Sequence, residues 1–380
     1  MTGAGKTIKQ RLGSLEQHLK QENPVLVSAV QGYRHLDQVG RSLGLLDAEE
    51  SYATQISWWP MISVLGTFSA GKSTFINHYL NHRLQATGNQ AVDDKFTVMC
   101  FASQGEPHTL PGSALDADPR FPFYRISSEL EKVAKGEGQR VDAYLQLKTC
   151  PSEQLRGLIF IDSPGFDADS QRTATLRLTN HIVDLSDMVL VFFDARHPEP
   201  GAMRDTLSHL VGDTIHRPDA NKFVYILNQM DTTAREDNPE EVVGAWQRAL
   251  SQEGLTAGRF YTIYNPEAAV PIEDPAIRKR YESKRDNDLH DIHARIQRVS
   301  VERAYRITGS LEKLARHIEE KTVPRLIDYK TRWRKLVLGG DAVLLAVMLL
   351  LALPLTSLTG LRDGWKVSLP EGWQDSATGI

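Results

Sequence analysis

The chain has 380 residues, 41% hydrophobic and 24% charged, enough for a large folded domain plus a second element, and its formal net charge is −4. That balance excludes a globally basic surface, so no nucleic-acid partner is expected. The two cysteines, Cys100 and Cys150, lack metal-ligand spacing and fit a reducing compartment better than a disulfide framework.

In chain order, Gly3-Ala4-Gly5-Lys6-Thr7 is a phosphate-loop echo with no strand before it, and it reads as an irregular end. Ile8, Leu12, Leu15 and Leu19 recur at helical spacing. Asn23-Pro24 breaks that run, and a second helical stretch follows to Leu46. The apolar strand Met61–Leu65 then enters Gly66-Thr67-Phe68-Ser69-Ala70-Gly71-Lys72-Ser73, followed by the helix-prone Thr74–Leu80. Strand, G-x-x-x-x-G-K-S and helix together are a strong phosphate-binding signal. The glycines let successive N–H groups turn inward, and the helix aims its positive dipole end at the anion. Lys72 is placed to meet the β- and γ-phosphates, and Ser73 to give its hydroxyl to Mg²⁺.

Further short apolar runs at Thr97–Phe101, Leu158–Ile161, Met188–Phe193, Phe223–Leu227 and Phe260–Tyr264 predict a mainly parallel sheet. Asp162-Ser163-Pro164-Gly165 ends one of them. Asp162 would hold Mg²⁺ through water and the Gly165 N–H would sense the γ-phosphate, a two-state switch. Asn228-Gln229-Met230-Asp231 ends another. In N-K-x-D the carboxylate reads guanine N1 and N2 and the lysine stem covers the ring; here Gln229 replaces the lysine, which leaves GTP and ATP both open. His78 and His82 read as surface or packing residues, and Arg196 and His197 as a solvated loop.

After Pro275 the pattern is helical again. Leu289, Ile292, Ile296 and Val299 form one stripe, and Ala304, Ile307, Leu311, Leu314 and Ile318 continue it with a phase shift. The N-terminal helices are the expected partners, giving a helical stalk from both chain ends with the nucleotide domain inserted between them; the alternative is two unrelated amphipathic helices packing on the sheet domain. Between Pro271 and Lys335, Lys and Arg outnumber Asp and Glu. There follows the most apolar stretch, Leu336–Leu358, interrupted by Asp341 and Pro354. Lys330, Arg332, Arg334 and Lys335 precede it, with Trp333 and Trp365 at its flanks. It reads as a membrane segment with the nucleotide domain on the cytoplasmic side; a buried helix and a shallow hairpin turning near Pro354 are the alternatives.

Gly66–Ser73 with Thr74-Phe75-Ile76-Asn77 resembles the phosphate loop of the dynamin superfamily, G-x-[FYQ]-S-x-G-K-[ST]. Asp94–Met99, Leu110–Leu115, Asp118–Phe123 and Phe192–Ala195 resemble stretches of its Eps15-homology-domain (EHD) ATPase branch and bacterial relatives. The likeness runs over roughly residues 60–320. It implies a dynamin-type G domain that pairs across the nucleotide, self-assembles into dimers and higher oligomers on a lipid bilayer, and bends it. It also implies a role for Ser69 at the β–γ bridge or γ-phosphate, and an ATP preference in the EHD branch. Two departures stand out. Where the family's switch I carries the threonine that binds Mg²⁺, alignment on Phe96 puts Asp93, which adds negative charge beside the γ-phosphate. No EH domain follows, so peptide ligands of that domain are not expected.

These readings predict an α/β, P-loop G domain over 58–272, stalk helices over 1–57 and 273–335, a membrane segment over 336–358 and a polar tail over 359–380. The predicted nucleotide contacts are Gly66–Thr74, Asp162, Gly165, Asn228, Gln229 and Asp231; Lys72, Ser69 and Asp93 are the candidate catalytic residues, and Ser73, Asp93 and Asp162 the candidate Mg²⁺ ligands. The expected function is a membrane-associated GTPase or ATPase with slow basal turnover that couples self-assembly to membrane remodelling; the alternative is a nucleotide-binding scaffold with little hydrolysis.

Overall fold

The computed structural model describes residues 3–358 apart from 49, 68, 88–94, 103–105, 118–119, 122–130, 132–135, 137, 139, 166–172, 198–219, 236–238, 253 and 256–257. The chain divides into two compact units, Met1–Leu311 and Glu312–Ile380.

The first unit opens with α1 (Gly3–Glu22) and α2 (Val27–Ser42). Gly3–Thr7, read as an irregular end, instead belongs to α1, so it makes no phosphate loop. The stripe Ile8, Leu12, Leu15 and Leu19 is buried as its spacing requires. The break falls where the sequence puts it. Asn23 is non-helical (φ −150°, ψ 76°) before Pro24, because the proline ring disfavours a helical residue ahead of it.

An eight-stranded sheet follows, in the order β3-β4-β2-β5-β1-β6-β7-β8. The strands are β1 Met61–Gly66, β2 Phe96–Phe101, β3 His108–Pro111, β4 Leu145–Cys150, β5 Ile159–Asp162, β6 Met188–Asp194, β7 Phe223–Asn228 and β8 Arg259–Thr262. From β5 through β1, β6, β7 and β8 every pairing is parallel. β2 runs antiparallel to β5, and β3 antiparallel to β4. The sheet is thus mainly parallel, with a reversed side.

Because side chains alternate across a strand, each central strand feeds two cores. On one face Ile62, Val64, Leu190, Phe192, Val224 and Ile226 join a cluster with Phe75, Ile76 and Tyr79 of α3 (Lys72–Leu80). On the other, Leu65, Val189, Val191, Tyr225 and Leu227 pack with Val183 and with Trp246 and Leu250 of the helix Pro239–Gln252. Two covered faces explain why these strands read as unbroken apolar runs. β3 and β4 escape that pattern. β3 is exposed and ends in a proline at the sheet edge, and β4 carries Gln146, Lys148 and Thr149 among its apolar residues.

The long helix Pro275–His317 divides its apolar stripe between two partners. Ile292, Ile296 and Val299, with Leu289 beside them, pack into the sheet cluster under α3 rather than against the N-terminal helices expected for them. Farther along, the Tyr33 hydroxyl of α2 donates to the Ile307 carbonyl at 3.1 Å. Between these regions Asp187 accepts from Arg303 at 3.1 Å and from Arg306, and it also holds the Met61 N–H at 2.9 Å. Arg303 donates to the Ser57 carbonyl as well. This buried ion cluster fastens the helix to the start of β1.

The second unit continues the long helix from Glu312 through a π-helical turn, Ile318–Thr322, into the helix Val323–Leu358. Leu336, Leu338, Val343–Leu345 and Val347–Leu351 are exposed along it. Among the described residues, no helix is long and apolar enough to cross a membrane, so the expected membrane span is not supported. Asp341 and Pro354 interrupt the apolar run of Val323–Leu358, and Arg334 and Lys335 stand just before it. The tail 359–380, including Trp365, lies outside the described residues.

Ile296 tests the placement of the long helix. Ile296→Ala is expected to destabilise the first unit by about 2–5 kcal/mol, read as a lowered urea midpoint, because it opens a cavity in a closed core. A helix that met only other helices away from the sheet would leave the unfolding of the sheet domain unchanged.

Candidate nucleotide-binding site

The site forms at the carboxyl ends of β1, β5, β6 and β7. Gly66 must lack a side chain, since a Cβ there would meet the Phe192 carbonyl of β6 at 2.6 Å. The loop then turns through the left-handed region at Ser69 (φ 61°) and Gly71 (φ 83°). A Cβ on Gly71 would strike the Asn228 amide at 2.2 Å. Gly71 caps α3, and Phe75 N–H bonds its carbonyl at 3.0 Å. No acidic residue sits in the first turn of α3, so nothing opposes an anion at its N-terminus. Lys72 is buried and curls back over the loop, donating to the Gly66 and Thr67 carbonyls at 3.0 and 3.1 Å. Ala70 is buried, Ser69 is exposed, and Ser73 and Thr74 are half-buried on the first turn.

Asp162 lies at the end of β5, in register with Val64 of β1, and its neighbour Ser163 donates its N–H to the Val64 carbonyl at 3.0 Å. That pairing brings the acid beside the strand that feeds the phosphate loop. Its Oδ2 accepts from Gln85 Nε2 at 2.6 Å, and Gln85 Oε1 accepts from Lys148 Nζ at 2.7 Å. Asn77 of α3 holds the Gln85 backbone by accepting its N–H and donating to its carbonyl, both at 2.8 Å. Gln85 and Lys148 carried no recognisable signal in the sequence, because they belong to no motif and meet Asp162 only through the fold. Gly165 is half-buried just beyond. Phe68 and the run Ala91–Asp94, with Asp93, lie outside the described residues.

The donor set fits Mg²⁺. Among the described residues no cluster of His, Cys, Asp and Glu forms a metal cage of its own. One hydroxyl, Ser73, and one carboxylate, Asp162, remain, and Mg²⁺ is commonly held by few protein groups together with water and substrate phosphates.

At the base end, Asn228 and Gln229 both brace the phosphate loop. Asn228 Nδ2 donates to the Ala70 carbonyl at 2.9 Å, and Gln229 Nε2 to the Ser69 carbonyl at 2.6 Å. Gln229 adopts φ 64°, which turns its side chain back to the loop. Asp231 is buried and accepts the Val270 N–H at 2.8 Å. Burial raises its pKa above the ordinary aspartate value, opposed by that hydrogen bond and by the charge of Arg196. Arg196 and His197 are exposed, as read from the sequence, and Arg196 pairs with Asp194 at 2.5 Å.

This geometry turns the Gln229 amide to the phosphate loop. Gln229→Ala is expected to weaken GTP and ATP analogues equally, by up to about 10-fold, since one hydrogen bond contributes roughly 0.5–1.5 kcal/mol. Titration with fluorescent nucleotides checks this; a loss confined to one base would place the side chain on the ring instead.

Comparison with known proteins agrees with the motifs. Residues 62–230 match the model of the Dynamin family. EH domain-containing protein 2 of Mus musculus is 23% identical over 307 residues, 76% of this chain and 53% of that protein. EH domain-containing protein 1 of Arabidopsis thaliana is 24% identical over 244 residues, 61% of this chain and 42% of its own length. The chain therefore spans about half the length of the curated relatives it matches. A solved oligomerised bacterial dynamin pair, described as sensing and tethering membranes over long range, overlays with a TM-score of 0.44 at 13% identity, over 95% of this chain and 53% of that one. Residues 62–230 are thus a Dynamin-family domain, and the likeness to the EH domain-containing proteins extends beyond it.

Proposed function

We propose that this protein is a membrane-associated nucleotide hydrolase that couples nucleotide-dependent self-assembly to the remodelling of a bilayer. The observation that carries the reading is a phosphate loop braced by the base-reading residues, on a chain that also exposes a long apolar helix behind a basic run.

The chemistry follows from this chain's own groups. The loop N–H groups and Lys72 bind the phosphates, Lys72 exchanging its bonds to the Gly66 and Thr67 carbonyls for phosphate oxygens. The exposed Ser69 is positioned for the β–γ bridge, and Gly165 N–H for the γ-phosphate. Ser73 and Asp162 would hold Mg²⁺, which supplies neutralisation of phosphate charge when bound. Asp231 accepts from the base, and either GTP or ATP serves as substrate. No general base is assigned; holding water and phosphate in line is sufficient for this reaction.

Membrane contact is assigned to the helix Val323–Leu358 lying at the bilayer surface. Arg325, Lys330, Arg332, Arg334 and Lys335 are placed to meet anionic headgroups, at about 1 kcal/mol each. The exposed residues Leu336–Leu351 enter the acyl boundary. The nucleotide domain is assigned to the cytoplasmic side, with G domains pairing in dimers and higher oligomers. Asp93 favours a second reading, a nucleotide-dependent membrane scaffold with little turnover, because its charge would oppose that of the transferring phosphate.

Turnover of GTP and ATP, with and without anionic liposomes, separates the two. The first reading expects hydrolysis stimulated by lipid and reduced about 100-fold or more in Lys72→Ala. Tight nucleotide binding without turnover under any condition supports the scaffold. Absence of nucleotide binding and of liposome sedimentation refutes both.

A further inference from the structure

We infer that Gln85 is a positioning residue for Asp162, oriented by Lys148 and Asn77, and that it sets how strongly Mg²⁺ enhances nucleotide binding. This rests on the assignment of Asp162 as a Mg²⁺-side ligand.

The orientation of the Gln85 amide is dictated by its neighbours. An ammonium can only donate, so Oε1 must face Lys148 at 2.7 Å; an ionised carboxylate can only accept, so Nε2 must face Asp162 at 2.6 Å. The residues are 4%, 9% and 4% exposed, for Gln85, Lys148 and Asp162 respectively, and hydrogen bonds strengthen in such surroundings. The Gln85 backbone is fixed to α3, because Asn77 bonds both its N–H and its carbonyl and also accepts the Leu84 N–H at 3.0 Å.

Asn77 and Ser73 are four apart on α3, on one helix face. A continuous chain of hydrogen bonds therefore ties the helix that bears the Ser73 hydroxyl to the carboxylate of Asp162. Gln85 also keeps opposite charges apart. Without its amide, Lys148 would draw the Asp162 carboxylate toward β4 and away from the phosphate loop. The buried Gln85 side chain is bonded to Asp162 and Lys148, so its effect acts through Asp162.

The test is affinity for fluorescent GTP and ATP analogues measured in Mg²⁺ and in EDTA. Gln85→Met keeps the volume and removes the amide. It is expected to bind in EDTA as wild type does, and to lose about 10-fold of affinity in Mg²⁺, the scale on which partners of metal ligands act. Lys148→Met shifts affinity in the same direction. An unchanged Mg²⁺ enhancement in Gln85→Met overturns the proposal, as do equal losses in Mg²⁺ and EDTA, which a purely structural role produces. If thermal melting shows Gln85→Met to be unfolded, Gln85→Glu decides instead. It keeps the bond to Lys148 but sets a second carboxylate against Asp162, so a retained enhancement overturns the proposal. Wild type that binds no nucleotide in either condition overturns the nucleotide reading itself, and this proposal with it; binding with an unaltered Mg²⁺ response in the variants overturns the Gln85 assignment alone.

Discussion

Two side-chain amides at the end of β7 hold the phosphate loop in shape. Asn228 bonds the Ala70 carbonyl and Gln229 the Ser69 carbonyl. The loop they hold includes a serine in the left-handed region, a conformation that costs an L-residue about 1–3 kcal/mol. Two hydrogen bonds of about 1 kcal/mol each offset much of that. The bracing is possible only because β1, β6 and β7 lie side by side and parallel, so that their carboxyl ends emerge together. The phosphate loop and the segment Asn228–Asp231 are consequently one mechanical object, and neither can be changed without disturbing the other.

The same closeness explains the loop's composition. Gly66 is squeezed by the Phe192 backbone and Gly71 by the Asn228 amide. Any side chain at either point would push the loop off the strands that brace it. The P-loop glycines thus serve packing against neighbouring strands as well as the approach of a phosphate.

Among the described residues, two groups of buried charge are joined by hydrogen bonds. Lys148 reaches Gln85, Asp162 accepts from Gln85, and Asp187 gathers Arg303, Arg306 and the Met61 N–H. Unpartnered, each would destabilise the fold by several kcal/mol. The Asp187 cluster lies at the amino-terminal end of β1 and the Gln85 chain at the carboxyl ends of the strands. One joins the long helix to the sheet, and the other joins Asp162 to the helix behind the phosphate loop.

The nucleotide site was legible along the chain because its motifs are local. Strand, loop and helix at Met61–Leu80 are contiguous, and Asp162 and Asn228–Asp231 each close a short, unbroken apolar run that reads as a buried strand. The other short apolar runs likewise announced a mainly parallel sheet, and the Asn23-Pro24 break in the N-terminal helices was visible in backbone chemistry alone. What residue spacing could not decide was partnership. The stripe on the long helix declares that one face is covered, yet only the fold shows that Ile292–Val299 meet the sheet and Ile307 meets α2. Gln85 and Lys148 have no motif, since a hydrogen bond between residues far apart in sequence leaves no periodic trace. The direction of Gln229 is of the same kind: its identity was plain, but whether its amide faces a base or the phosphate loop depends on a backbone angle that the tertiary contacts of β7 impose.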